Sequence, residues 1–108
     1  MGTFDEFLKI LERDLLEFAE NTWNTYKTEA LQDGNAFVHK YKLDLERWTK
    51  LLASGDLTRD DFEWLVKGKK DLAELLALKH AGLAKVVLDS FRTDLISTIV
   101  STAFKVFL

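Results

Sequence analysis

The chain has 108 residues, a net charge of −3, five glycines, and neither proline nor cysteine. A single domain of this length buries roughly 60–70% of the surface that its unfolded chain exposes, which is enough for one hydrophobic core. The hydrophobic fraction of 47% argues against disorder, and so few turn residues argue against a β-protein. We therefore expect one all-α domain over residues 1–108.

The absence of cysteine excludes disulfides, thiolate metal sites and a cysteine nucleophile. It is also typical of a reducing compartment. The N-terminal segment lacks a basic region followed by an apolar run, which is the pattern of a secretory signal. Together these features predict a cytoplasmic protein.

Charge is distributed unevenly along the chain. The first 33 residues contain eight acidic and three basic side chains, a net charge of −5, whereas the remainder carries +2. Nucleic-acid-binding domains present a basic face. The densest basic cluster here is Lys67, Lys69 and Lys70, which is short and typical of a solvated helix end. We therefore expect no nucleic-acid partner.

The first predicted helix covers residues 3–31, with Thr3 as its N-cap. Apolar side chains recur along it at helical spacing and form one wide stripe: Phe4, Phe7, Leu8, Leu11, Leu15, Phe18 and Tyr26. The segment 21–25 is a poor helix former, so a bend is permitted there. The run Asp33-Gly34-Asn35 predicts the turn that ends this helix.

The second predicted helix covers residues 36–53. Its apolar residues are spaced alternately by three and four positions: Val38, Tyr41, Leu45, Trp48 and Leu52. Such a seam favours antiparallel packing on the first helix.

The strongest local signal is the start of a third helix after Gly55. Thr58 can accept a hydrogen bond from the Asp61 N–H, and Asp61 can return one to the Thr58 N–H, as in a capping box. Leu57 and Phe62 are spaced as a hydrophobic staple around this cap. A turn followed by a new helix is predicted here.

Two signals conflict after this start. Gly68 and Gly82 are placed to end helices, yet the apolar rhythm continues through both of them. We favour helices over 59–81 and 83–107 with a kink or break at either glycine, because two antiparallel helices bury more surface than one projecting rod. One continuous helix over 59–107 is the alternative. The predicted architecture is an antiparallel bundle of three or four helices.

The segment 45–67 resembles the SHOCT motif, a short helical hairpin usually found near the C-termini of bacterial proteins. The resemblance is carried by Leu45, Leu51, Leu52, Gly55, Leu57, Thr58, Asp61, Phe62 and Lys67. It implies a role in oligomerisation or protein contact, and it brings no catalytic residues with it.

The sequence offers little catalytic chemistry. Its two histidines, His39 and His80, have no glutamate three residues before them and form no zinc-binding pattern. We expect His39 to be exposed and His80 to be a core or capping residue. Three tryptophans, Trp23, Trp48 and Trp64, are expected as core or interface anchors. The prediction is a non-enzymatic protein with no metal and no cofactor.

The segment after Asp94 is apolar on nearly all sides of a helix, and such a helix needs more than one neighbour. We therefore predict self-association, with a dimer favoured, through the following interaction residues: Leu95, Ile96, Ile99, Val100, Ala103, Phe104 and Phe107. A central position in a monomeric bundle is one alternative. A membrane-surface helix is another, although the run is too short to span a bilayer, and a ligand-binding or enzymatic bundle with a cavity between helices is a third. A different protein partner also remains open.

Overall fold

The computed structural model describes residues 2–108, and all regular structure in that range is helical, with no strand. Six α-helices follow in chain order within these residues: α1 (Phe4–Thr22), α2 (Lys27–Lys40), α3 (Lys42–Ser54), α4 (Arg59–Lys67), α5 (Leu76–His80) and α6 (Lys85–Phe107). Short 3-10 turns over Asn24–Tyr26 and Lys70–Leu72 join some of them. The predicted all-α class is confirmed.

Helix α6 occupies the centre of the fold. It contacts α1, α3, α4 and the 3-10 turn Lys70–Leu72. Buried side chains extend along it from Leu88 to Phe107. A helix that is apolar on most sides requires cover from several neighbours, and here helices of the same chain supply that cover.

The predicted helix over 3–31 is interrupted at Trp23. Helix α1 ends at Thr22, and Trp23 leaves the helical region at φ −122° and ψ 34°. The Trp23 ring packs edge-on against Phe91 of α6, with 5.2 Å between ring centroids. The interruption thus occurs in the segment of low helix propensity, where packing on α6 also orients the indole.

The turn predicted at Asp33-Gly34-Asn35 is absent, because α2 continues through it to Lys40. Asp33 is buried, and its carboxylate accepts hydrogen bonds from the backbone N–H groups of Ala77 (3.0 Å) and Leu78 (2.8 Å). Gly34 is buried inside the helix as well. Asp33, which suggested a turn in the sequence, instead bonds to the backbone of Ala77, 44 residues later in the chain.

The predicted helix over 36–53 is two helices. The break between α2 and α3 falls at Tyr41, whose φ is −106° and ψ 21°. The Tyr41 ring lies 5.0 Å from that of Phe37, centroid to centroid, and the Lys69 ammonium lies 5.6 Å from its centre. In the sequence, Tyr41 continues the alternate three- and four-residue spacing of the apolar seam. That spacing therefore gave no indication of a break at Tyr41.

The turn before α4 follows the prediction. Gly55 adopts φ 83°, in the left-handed region that favours glycine. The Thr58 hydroxyl accepts a hydrogen bond from the Asp61 N–H at 3.1 Å. The return bond from Asp61 is not formed among the described residues. Phe62 is fully buried and Leu57 half-buried.

The predicted helix over 59–81 is divided, and the continuous helix over 59–107 is excluded. Helix α4 stops before Gly68, and α5 contains only five residues. Leu75 precedes α5 at φ 54°, an unfavourable conformation for leucine, while its side chain is buried. Gly82, at φ 86°, ends the segment before α6, so both glycines lie at breaks as predicted.

We predict that Thr58→Ala lowers the free energy of unfolding by about 0.5–2 kcal/mol, because the Asp61 N–H loses its capping acceptor. Urea denaturation followed by circular dichroism measures the change. Thr28→Ala is the control, since Thr28 is exposed within α2. Equal stability of Thr58→Ala and wild type would contradict the assigned cap.

We predict that Asp33→Ala lowers the free energy of unfolding by about 2–6 kcal/mol, because two backbone N–H groups lose their acceptor and each orphaned N–H costs roughly 1–3 kcal/mol. Asp33→Asn should cost less, since one acceptor oxygen remains. Thermal and chemical denaturation report both changes. Asp71→Ala, at an exposed aspartate in the neighbouring turn, should leave stability within about 0.5 kcal/mol of wild type.

Candidate interaction surface

The structure places the predicted interaction residues of α6 inside one chain. Six of the seven are buried: Leu95, Ile96, Ile99, Val100, Ala103 and Phe107. The seventh, Phe104, is half-buried between the Phe62 ring at 6.0 Å and the Arg59 guanidinium at 5.4 Å. These side chains are covered by their own chain, so their apolar character alone does not require a second copy.

A groove of about 530 Å³ opens at one end of the fold, between the start of α1 and the ends of α3 and α6. Phe4, Ala53 and Phe107 give it an apolar lining. Its hydroxyls are engaged locally: Thr3 accepts from the Glu6 N–H, Thr49 donates to the Glu46 carbonyl, and Ser54 bonds to the Leu51 carbonyl and to Asp56 Oδ2. Among the described residues, Lys50 is the one charged residue in its lining, so the groove presents a single cation rather than the several convergent polar groups that orient a small substrate.

A polar cluster joins α1 to α6. The buried Thr102 hydroxyl lies 2.6 Å from Asp14 Oδ2, and Lys105 Nζ donates to the same oxygen at 2.9 Å. Burial raises the pKa of Asp14, but the bonds from Thr102 and Lys105 outweigh it and bring the pKa below its ordinary value. Asp14, Thr102 and Lys105 are all bonded within the cluster, which therefore fixes α1 against α6.

The basic cluster predicted from the sequence is dispersed in space. Lys67 pairs with Glu63 at 3.2 Å, and Lys69 lies over the Tyr41 ring. Nearby, the hydrogen bond from Lys40 to Glu74 raises the pKa of Lys40. Among residues 2–108, Lys70 has neither a carboxylate nor an aromatic ring as partner. The three lysines therefore form no broad cationic face.

The two histidines are not brought together with other ligands. His39 is exposed on α2, as expected, and His80 is exposed in the last turn of α5 rather than buried in the core. Within the described range, no three His, Cys, Asp or Glu side chains are grouped to bind a metal. In the same range, no helix is both long and apolar enough to cross a bilayer.

Among the three tryptophans expected as core or interface anchors, Trp64 is the one that the structure leaves exposed. Trp48 is buried and Trp23 half-buried, whereas 74% of the Trp64 side chain is exposed. Trp64 follows the buried Phe62 by two residues, which places it about 200° around the helix, on the opposite side. A helical-wheel projection of residues 59–67 places Trp64 on the exposed side, provided that Phe62 and Val66 are recognised as the buried side.

Comparison of the chain with models of known protein families, with characterised proteins and with solved structures found no match. The resemblance of residues 45–67 to the SHOCT motif stays a prediction.

We predict that Asp14 makes stability depend on acid pH. Its pKa is lower in the folded chain than in the unfolded chain, where it is about 3.9. At pH values above the unfolded pKa, the ionised carboxylate contributes its full stabilisation of the fold. This contribution is lost as the pH falls through the folded pKa. Urea unfolding between about pH 5 and pH 2 measures the loss.

The wild type should lose stability over this range more steeply than Asp14→Asn, and the two should converge at the acid end. Glu12→Gln is the control, because Glu12 is exposed on the same helix and forms no ion pair among the described residues. Parallel pH profiles for wild type and Asp14→Asn would contradict the assignment.

Proposed function

We propose that this chain is a non-enzymatic protein-interaction domain that self-associates as a dimer, and that Trp64 anchors the contact. The supporting observation is the 74% exposure of this tryptophan on the outer side of α4. Single exposed aliphatic side chains are ordinary on protein surfaces. Tryptophan differs, because it is enriched among the residues that contribute most binding energy at protein interfaces.

The outer side of α4 is self-complementary in charge. Asp60 and Asp61 lie in its first turn, Lys67 lies in its last, and Trp64 is near the middle. A two-fold axis through Trp64 would pair two α4 helices in antiparallel orientation and bring the two indoles together. The acidic end of each helix would then face the basic end of the other. Such an isologous contact is the commonest way for identical chains to associate.

This arrangement differs from the contact predicted through α6. Because the apolar residues of α6 are buried within the chain, a dimer built on them would first have to remove α6 from its own core. The Trp64 surface needs no such rearrangement. The two contacts therefore predict different responses to substitution.

The experiment is multi-angle light scattering over a micromolar to millimolar concentration series. We predict that the wild type approaches twice the monomer mass and that Trp64→Ala remains a monomer. Val86→Ala is the matched control, since Val86 is also an apolar residue with 72% exposure, and it should dimerise normally. A wild type that stays monomeric throughout the series would refute self-association.

Charge exchange tests the orientation. Asp60→Lys alone and Lys67→Glu alone should each weaken the dimer, because each places like charges at both ends of the contact. An equimolar mixture of the two variants should restore it, since the lysine introduced in one chain then faces the glutamate introduced in the other. Dimerisation that survives Trp64→Ala but fails in Val100→Glu would favour the α6 contact instead.

Two other roles predicted from the sequence lead to different observations. A membrane-surface protein would float with lipid vesicles through exposed apolar residues. A ligand-carrying bundle would retain a small molecule in native mass spectrometry. The end groove described above has room for such a molecule.

A further inference from the structure

A second groove, of about 230 Å³, runs between α4 and α6. Its floor is made by Ile96 and Val100, which are apolar and buried. Lys67 and Lys70 form the wall on the α4 side. Trp64 does not line this groove, whereas Lys67 belongs both to its wall and to the proposed dimer contact.

The α6 side of the groove carries hydroxyl groups. Thr93 and Ser97, both on α6, belong to its lining. The Thr93 hydroxyl donates to the Asp89 carbonyl at 3.1 Å, whereas the Ser97 hydroxyl has no hydrogen-bond partner among the described residues. From Thr93 to Val100 the lining extends about 10 Å along the α6 axis.

The charge of the groove is unbalanced. Glu63 also lines it, but its carboxylate is paired with Lys67 at 3.2 Å. Lys70 is half-buried and has no carboxylate within ion-pair distance in the described part of the chain. The lining thus combines one lysine that has no ion pair among the described residues, two buried apolar residues and the exposed Ser97 hydroxyl.

We infer that this groove binds a monocarboxylate with an unbranched aliphatic chain. The carboxylate accepts from Lys70 Nζ and the Ser97 hydroxyl, and the chain lies along Ile96 and Val100. A single unpaired cation suits a single negative charge, and the adjacent Glu63 disfavours a dianion such as phosphate. The volume is below the 300–1,000 Å³ usual for drug-sized ligands, which favours a narrow acid over a ring system.

The test uses octanoate as the probe, with isothermal titration calorimetry and backbone-amide NMR shifts as readouts. Octanoate should bind saturably and shift amides at the groove, including those of Lys70 and Ser97. Octan-1-ol and octylammonium, which match its chain but not its charge, should bind at least about tenfold more weakly, since charge-assisted hydrogen bonds contribute most of the selectivity.

Three variants distinguish octanoate binding in this groove from non-specific attraction of octanoate to surface lysines. Lys70→Gln should weaken octanoate binding about tenfold. Lys69→Gln is the matched control and should not change it, because Lys69 lies over Tyr41 instead of lining the groove. Glu63→Gln should tighten binding, since it releases Lys67 from its ion pair and removes a repulsive charge.

Trp64 is not part of the groove lining, so Trp64→Ala should bind octanoate as the wild type does. Equal binding of octanoate and octan-1-ol would overturn the inference, because the cation would then contribute nothing. Equal losses in Lys70→Gln and Lys69→Gln, or the absence of saturable binding at millimolar octanoate, would overturn it as well.

Discussion

The burial of α6 on most of its sides is the constraint on which the fold depends. The Phe7 ring of α1 lies 5.8 Å from Phe107, the Phe62 ring of α4 lies 6.0 Å from Phe104, and Trp23 lies 5.2 Å from Phe91. These contacts are spread along the whole length of α6. Because apolar area removed from water stabilises a fold by roughly 25 cal/mol per Å², α6 gains only if elements from both halves of the chain surround it.

Most side chains in the interior are apolar, and the three buried polar or charged residues within residues 2–108 serve the fold. The buried polar residues Asp33, Thr49 and Thr102 all have their hydrogen bonds within the chain. Asp14, Glu17 and Lys105 line one open surface groove, and there Asp14 and Lys105 are paired with each other at 2.9 Å. The exposed indole of Trp64 and the unpaired ammonium of Lys70 are therefore the features on which binding proposals can rest.

Sequence reasoning succeeded where the determinants of structure are local. The Thr58 cap and the break at Gly82 depend on residues a few positions apart, and both were predicted. It failed where contacts between residues far apart in the sequence determine the local structure. Asp33 beside Gly34 has the composition of a turn, but Asp33 is buried against α5, Gly34 faces Leu15 and Leu95, and both residues stay helical. Trp64 shows the same limit for the candidate site, since its exposure is evident only after Phe62 is known to be buried.

The contact between Asp33 and α5 also implies an order of folding. An isolated helix of five residues is far too short to be stable in water, and the first turn of α5 obtains its acceptors from a side chain 44 and 45 residues earlier. Helix α5 therefore cannot form until α2 is in place, and the strained Leu75 adds to the cost of closing that loop. In native-state hydrogen exchange, α5 should belong to the segment that opens first, while α6 opens only when the whole chain unfolds.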